Sequence, residues 1–247
     1  MKGYALIPPP QHWPVVWEEA LSLRHGDLED YVFFTENDLI LYRQGLPYFS
    51  ARTCYESVLN NQHAFILKVI ERKGKLPKSF VDGTAGWGRE ALTVALAGVP
   101  VTAIEQCALP VLFLHYATEF IFPMVNLSII HKNFLTYAGE NTMQHVPCLY
   151  LDPLFFNSKA SLSKKAMELL YDLPESLQTS QVEQDLCLKQ ALTHFKIDTL
   201  VIKQYRQAKP WLAHKSVVYS EKLTKTCRYD IFYINQKFIE MSLFKLQ

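Results

Sequence analysis

Beyond Pro77 the chain alternates short apolar runs with helical segments, and this alternation limits its fold more than any other feature of the 247 residues. Phe80-Val81 reads as a strand running into Asp82-Gly83-Thr84. Residues 89–97 form the next helix, closed by Gly98, and 101–104 the second strand, ending at Glu105. A helix over 108–122 follows, then strands over 127–130 and 148–151, the latter ending at Asp152-Pro153. Helices near 163–171 and 182–194 bracket the remaining loop, and 199–202 is a fifth strand. Two last β segments, 217–220 and 229–234, are joined by a short basic link and read as a hairpin. Buried strands alternating with helices require a mostly parallel sheet in an α/β fold, with the hairpin adding an antiparallel strand at one edge. Ligands of such sheets bind beyond the carboxyl ends of the strands, which draws attention to Asp82, Glu105, His131 to Asn133, and Asp152.

Residues 1–75 read as a small α+β extension of unclear role, with a strand at 38–42 and a helix at 54–72; the break Lys73-Gly74-Lys75-Leu76-Pro77 separates it from a domain spanning 76–247. With 49% hydrophobic and 20% charged residues, the chain has a globular composition, which excludes disorder, coiled coil and collagen. Five cysteines without a C-x-x-C pair argue against a disulfide framework or a cysteine zinc site, and the eight histidines form no H-E-x-x-H. We therefore expect no metal. The longest apolar stretch, 108–130, is interrupted by His115, Glu119 and Pro123, and the N-terminus carries no apolar signal core, so the expected setting is a reducing cytoplasm, away from membranes.

The net charge of +1 hides an asymmetry. Residues 1–72 hold six Lys/Arg against nine Asp/Glu, whereas 196–228 hold eight against two. A basic C-terminal third, including Lys203 and Arg206, can attract phosphates even though the whole chain is nearly neutral.

Three motifs carry chemistry. In Asp82-Gly83-Thr84-Ala85-Gly86-Trp87-Gly88-Arg89-Glu90, glycines between a strand and a helix allow tight turning and close backbone approach, while the helix start offers amide donors. The spacing is not the G-x-G-x-x-G of dinucleotide folds. Glu105, at the end of the next strand, can accept both hydroxyls of a ribose, so the pair of motifs favours a nucleoside-bearing cofactor. Leu151-Asp152-Pro153-Leu154-Phe155-Phe156 resembles the [D/N]-P-P-[F/Y/W] signature of methyltransferases acting on planar amino groups. The lone pair of such an amine is delocalised into its ring. A carboxylate and the Pro153 carbonyl can accept its N–H bonds and aim the nitrogen at a methyl donor, while Phe155 or Phe156 stacks on the base. Lys164 and Lys165 follow closely enough to meet phosphates.

As a set, these segments resemble the RsmJ-type methyltransferases, which use S-adenosylmethionine to methylate guanine N2 in small-subunit (16S) ribosomal RNA. Asp82 to Glu90 is similar to their D-A-T-A-G-L-G-R-D, Val101 to Gln106 to V-x-x-x-E-R, and Tyr150 to Phe155 to Y-L-D-P-M-F. Ser161 to Met167, Val201 to Gln204 and Tyr229 to Tyr233 are similar to S-A-L-V-K-K-E-M, V-V-V-K-R and R-F-D-I-Y. The resemblance runs from about residue 78 to 234. It implies a Rossmann-like class I methyltransferase sheet and S-adenosylmethionine as cofactor. It further implies cofactor contacts at Arg89, Glu90, Glu105, Gln106, Asn133, Phe134 and Asp152; the reading of the residues themselves adds Asp82, Gly86 and Gly88 of the turn to the cofactor site and makes Asp152, Pro153 and Phe155 catalytic. RNA contacts fall on Lys164, Lys165, Lys203 and Arg206, and the partner is ribosomal RNA or the small subunit. The chain departs from the pattern at Glu90, where the family has Asp, at Gln106, where it has Arg, at Asn133-Phe134, where it has a Ser pair, and at Phe156, where it has Pro; the family's glycine-rich basic segment before the first strand has no good match. Two other readings share these features: a methyltransferase-like binding module without turnover, and an amino-methyltransferase acting on DNA adenine or protein glutamine.

Overall fold

The computed structural model describes residues 31–34, 37–43, 46–61, 64–142, 144–152, 181–208 and 218–234. Strands β1 (Tyr31–Phe34), β2 (Leu39–Arg43) and β3 (Leu46–Ser50) form a three-stranded antiparallel sheet. Helix α1 (Ala51–Leu59) follows directly, capped by Ser50, whose hydroxyl accepts from the Thr53 amide at 3.2 Å. The single helix expected over 54–72 is in fact two. It stops at Asn60-Asn61, where Asn61 takes φ +55°, and restarts as α2 (Phe65–Ile70). Asn enters the left-handed region more readily than most residues, which makes the pair a natural stop.

The main sheet has seven strands in the order β6-β5-β4-β7-β8-β10-β9. The parallel strands are β4 (Phe80–Asp82), β5 (Val101–Glu105), β6 (Leu127–His131), β7 (His145–Leu151) and β8 (Lys196–Tyr205). Strand β10 (Cys227–Tyr233) lies antiparallel between β8 and the edge strand β9 (Val218–Leu223). The closing hairpin thus adds two strands, the second in sequence being the inner one. β7 and β8 also extend beyond the expected runs: their N-terminal ends pair with each other from His145↔Lys196, and β8 continues to Tyr205 by pairing with β10. The expected helix at 163–171 lies outside the described residues.

Successive side chains alternate between the two faces of the sheet, and each face is covered. Phe80, Tyr150, Val201 and Tyr229 face one cluster, packed by α1, α2, α3 (Arg89–Leu96) and α4 (Ala108–Tyr116). Val81, Leu149, Leu151, Ile202 and Phe232 face the other, with α5 (Phe134–Glu140) and α6 (Gln181–His194). All of α4 except His115 is buried, which explains its unbroken apolar sequence, and it runs into a π-helical turn, Ala117–Ile121, before Pro123. Among the described residues no helix is long and apolar enough to cross a membrane.

The break at 73–77 does not interrupt this packing. Leu39, Phe49 and Tyr55 share one cluster with Leu92 and Phe113, and the Phe49 ring sits 4.8 Å from that of Trp87. The break itself is a tight turn in which Arg72 and Lys75 exchange backbone bonds of 2.9 and 3.1 Å around Lys73 and Gly74, both at positive φ.

Candidate active site

The glycine turn after β4 is stitched to the strands on both sides. The Gly83 amide donates to the Tyr150 carbonyl at 2.9 Å and the Ala85 amide to the Ile104 carbonyl at 2.9 Å. Asp82, 2% exposed, accepts from the Thr84 amide at 3.2 Å, and the Thr84 hydroxyl accepts from the Asp152 amide at 2.7 Å. Gly86 and Gly88 hold φ of +53° and +69°, which is the local reason for glycine. Gly83 is required for a different reason: a Cβ there would stand 2.7 Å from Leu151 and 2.8 Å from Phe134.

Glu105, at the tip of β5, points back toward this turn. One carboxylate oxygen accepts from the Gly86 amide at 2.6 Å and the other from the Cys107 amide at 2.8 Å. Burial raises its pKa above the ordinary carboxylate value, while these amides favour the charged form. Beside it, the Asn133 amide group donates to the Gln106 side-chain oxygen at 2.7 Å, and the Asn133 oxygen accepts from the Leu135 amide at 2.8 Å, capping α5. Gln106 and Asn133 thus form a neutral pair in which two departures from the family pattern meet.

On the other side of β4, Asp152 follows directly on β7. Glu105 and Asp152 therefore flank the turn with one strand between them and are not on adjacent strand tips. The Lys203 ammonium, from β8, donates to Asp152 at 2.6 Å and to Glu90, at the start of α3, at 3.1 Å. Burial pushes the Asp152 carboxyl up and Lys203 opposes that shift. Burial alone would lower Lys203, but Asp152 and Glu90 outweigh it and hold the ammonium above its ordinary 10.5. Asp82 is raised well above 3.8, by burial first and then by Glu90.

Several expected contacts point elsewhere. The Arg89 guanidinium turns toward α1, donating to the Cys54 carbonyl at 3.0 Å, so its side chain ties the N-terminal elements to α3. Phe134 is 5% exposed and packs beneath the glycine turn, its ring 6.2 Å from that of Phe195. Lys203, expected on phosphate, is held by two carboxylates. Arg228, counted in the basic third, is buried against Asp230, with N–O distances of 2.6 and 3.1 Å. Arg206 remains exposed beside the hairpin turn, where it donates to the Thr224 carbonyl at 3.5 Å. Pro153, Phe155, Phe156, Lys164 and Lys165 lie outside the described residues. Sequence reasoning missed Thr84 as the clamp on Asp152 and Lys203 as its counterion. The available signal was the position of Asp152 and Lys203 at the ends of consecutive parallel strands.

The chemistry of this donor set fits a cationic nucleoside. An ionised carboxylate has about four acceptor positions. Glu105, oriented by the Gly86 and Cys107 amides at the tip of β5, stands where it can accept a ribose diol. Glu90 and Asp152 outnumber the ammonium of Lys203, an imbalance that complements the positive charge of a sulfonium donor. Among the described residues no group of His, Cys, Asp and Glu side chains is placed to hold a metal ion.

The strand order, the glycine turn at its centre and acids on either side of that turn together define a Rossmann-like methyltransferase. The comparisons narrow this. The family model "Putative SAM-dependent methyltransferase" matches residues 51–234, and the chain belongs to that family, whose methyl donor is S-adenosylmethionine. The chain is 29% identical over 178 residues to the ribosomal RNA small subunit methyltransferase J of Haemophilus ducreyi, covering 68% of this chain and 67% of that protein. It is 32% identical over 114 residues to the protein of the same name from Alteromonas mediterranea, covering 44% of each. Among solved structures, a SAM-dependent methyltransferase of Neisseria gonorrhoeae superposes with a TM-score of 0.53 over 87% of this chain and 88% of that one, at 16% identity, a likeness of fold.

Proposed function

We propose that this protein transfers a methyl group from S-adenosylmethionine to an exocyclic amine of RNA, with guanine N2 of the small-subunit ribosomal RNA as the acceptor, in the cytoplasm. The observation that carries the reading is Asp152, whose carboxylate is held by Lys203 at the rim of the sheet and whose backbone amide donates to the Thr84 hydroxyl of the glycine turn. The named relatives support the RNA substrate.

When bound, the donor supplies an electrophilic methyl carbon and a neutral thioether leaving group. The protein has to bind, align and exclude water. Glu105 accepts the ribose hydroxyls. The backbone of the turn from Gly86 to Gly88 and of Arg89 at the start of α3, with Glu90, borders the methionine end. Gln106 and Asn133 border the adenosine, and Phe134 supports the turn from below. Asp152 and the Pro153 carbonyl accept the N–H bonds of the amine, and Phe155 stacks on a base drawn out of its helix. Lys164, Lys165 and Arg206 meet phosphates, so RNA binding weakens as salt rises.

The test is methyl transfer from labelled donor to small ribosomal subunits lacking the modification, with products mapped by mass spectrometry. Asp152→Ala is expected to abolish transfer with an unchanged circular dichroism spectrum. Full activity in that variant refutes the role of Asp152. Donor binding by the unmodified protein without any transfer to RNA, DNA or protein favours a binding module.

A further inference from the structure

We propose that Lys203 is a positioning residue for methyl transfer: it grips one oxygen of Asp152, leaves the other facing the acceptor amine, and ties that carboxylate to Glu90. The proposal rests on the reading of Asp152 as the group that accepts the amine's N–H bonds. Its basis is the placement of three side chains from three elements.

The register Leu151↔Ile202 brings Asp152 and Lys203 side by side just past β7, so the lysine reaches sideways and not along the strand. Its ammonium lies 2.6 Å from Asp152 Oδ2 and 3.1 Å from Glu90 Oε1. The three side chains are only 19%, 29% and 18% exposed. A lysine that collects phosphates keeps its head in water, whereas this one has two of its three N–H donors committed to carboxylates. On its other side β10 places Tyr229 directly opposite in register, with the ring centroid 6.0 Å from the ammonium.

The electrostatic surroundings of Asp152 make this contact matter. The groups around it are Glu90 from α3, Asp82 from β4, Tyr150 from β7, Tyr229 from β10, and Lys203 from β8. Glu90 disfavours an ionised Asp152, Lys203 and the Tyr150 hydroxyl favour it, and Lys203 is the one cation in the group. A protonated carboxyl is a weaker acceptor for the amine's N–H than a carboxylate. Lys203 opposes the effect of burial and so favours the charged form of the acceptor. The contact to Oδ2 fixes the orientation of the carboxylate, and the proposal assigns Oδ1 to the amine.

The experiment compares Lys203→Met and Lys203→Arg with the unmodified enzyme, and includes Asp152→Ala in parallel. Steady-state rates on small ribosomal subunits are measured from pH 5.5 to 9, together with donor affinity by calorimetry and melting temperature. For Lys203→Met we expect kcat at pH 7 to fall about 10- to 100-fold, the range seen when supporting partners behind metal ligands are removed. Donor affinity and the KM for RNA should change less than about 3-fold. The acid limb of the kcat profile should move to higher pH, because losing the ammonium raises the Asp152 pKa further. Lys203→Arg should return the limb toward its original position. The proposal is overturned if Lys203→Met raises KM for RNA and flattens the salt dependence at unchanged kcat, the result for a phosphate contact. It is equally overturned if the melting temperature falls while the pH profile stays in place. Should Asp152→Ala keep full turnover, the underlying reading of the acceptor site fails; should Asp152→Ala be inactive while Lys203→Met keeps its rate and profile, the Lys203 proposal alone fails.

Discussion

Replacing Gly88 by alanine separates two constraints that act on the glycine turn. Gly88 sits at φ +69°, where an L-residue with a Cβ is strained by about 1–2 kcal/mol. A Cβ there would also stand 2.5 and 2.7 Å from the two methyl groups of Leu114, a residue with no exposed surface. Overpacking of that kind costs about 1–3 kcal/mol. Gly88→Ala is therefore expected to lose about 2–5 kcal/mol of stability, the sum of both contributions. Gly98 is the internal control. Its φ is +84°, yet nothing lies within 4 Å of an added Cβ, so Gly98→Ala should lose only the backbone share of about 1–2 kcal/mol. Urea unfolding followed by circular dichroism measures both, and calorimetry with S-adenosylmethionine measures the consequence for the site. Gly88 precedes α3 and accepts the Leu92 amide at 2.8 Å, so pushing Leu114 aside displaces the turn and donor affinity falls. At Gly98, on the far end of α3, affinity should hold. Equal stability losses in the two variants would show that Leu114 does not constrain the turn, and unchanged donor affinity in Gly88→Ala would remove this turn from the donor site.

Two further outcomes follow from the electrostatics. Asp82 is buried and its pKa is raised well above 3.8, so folding holds its proton more tightly than the unfolded chain does. Its contribution to stability is present at low pH and is lost as pH rises through the folded value. Asp82→Asn, which keeps the acceptor for the Thr84 amide, should stabilise the protein near pH 8 and make no difference below the unfolded value; thermal melts across that range would contradict this if the gain were largest in acid. Glu105→Ala should weaken donor binding at least 10-fold, by about 1.4 kcal/mol or more, and leave RNA binding nearly untouched; equal losses by calorimetry and filter binding would count against the ribose assignment.

The parallel strands and the glycine turn were legible because their signals are local. Short apolar runs, an acid at each strand end and glycines at fixed offsets depend on residues close in sequence. The longer limits of β7 and β8 were not legible, since their starts extend each other across a gap of about fifty residues and the end of β8 is extended by β10. The split at Asn60-Asn61 was hidden because helical spacing of apolar residues continued on both sides. The boundary at 73–77 was a true turn, but whether the elements on either side share a core depends on contacts such as Phe49 with Trp87.

The same division holds within the site. Residue types and their order along the chain were enough to nominate Glu105 and Asp152, because the chemistry of a ribose and of a planar amine demands acids at strand ends. Sequence alone could not assign directions to the side chains beside them. Arg89 and Phe134 belong to motif positions associated with the cofactor, yet one reaches Cys54 and the other fills the space beneath Gly83. Lys203 belonged to a basic segment and became the partner of two carboxylates. A side chain's position in the chain selects the strand end it occupies, but its orientation follows from which charges and cavities the packed sheet brings within a few ångströms, and those neighbours come from distant segments.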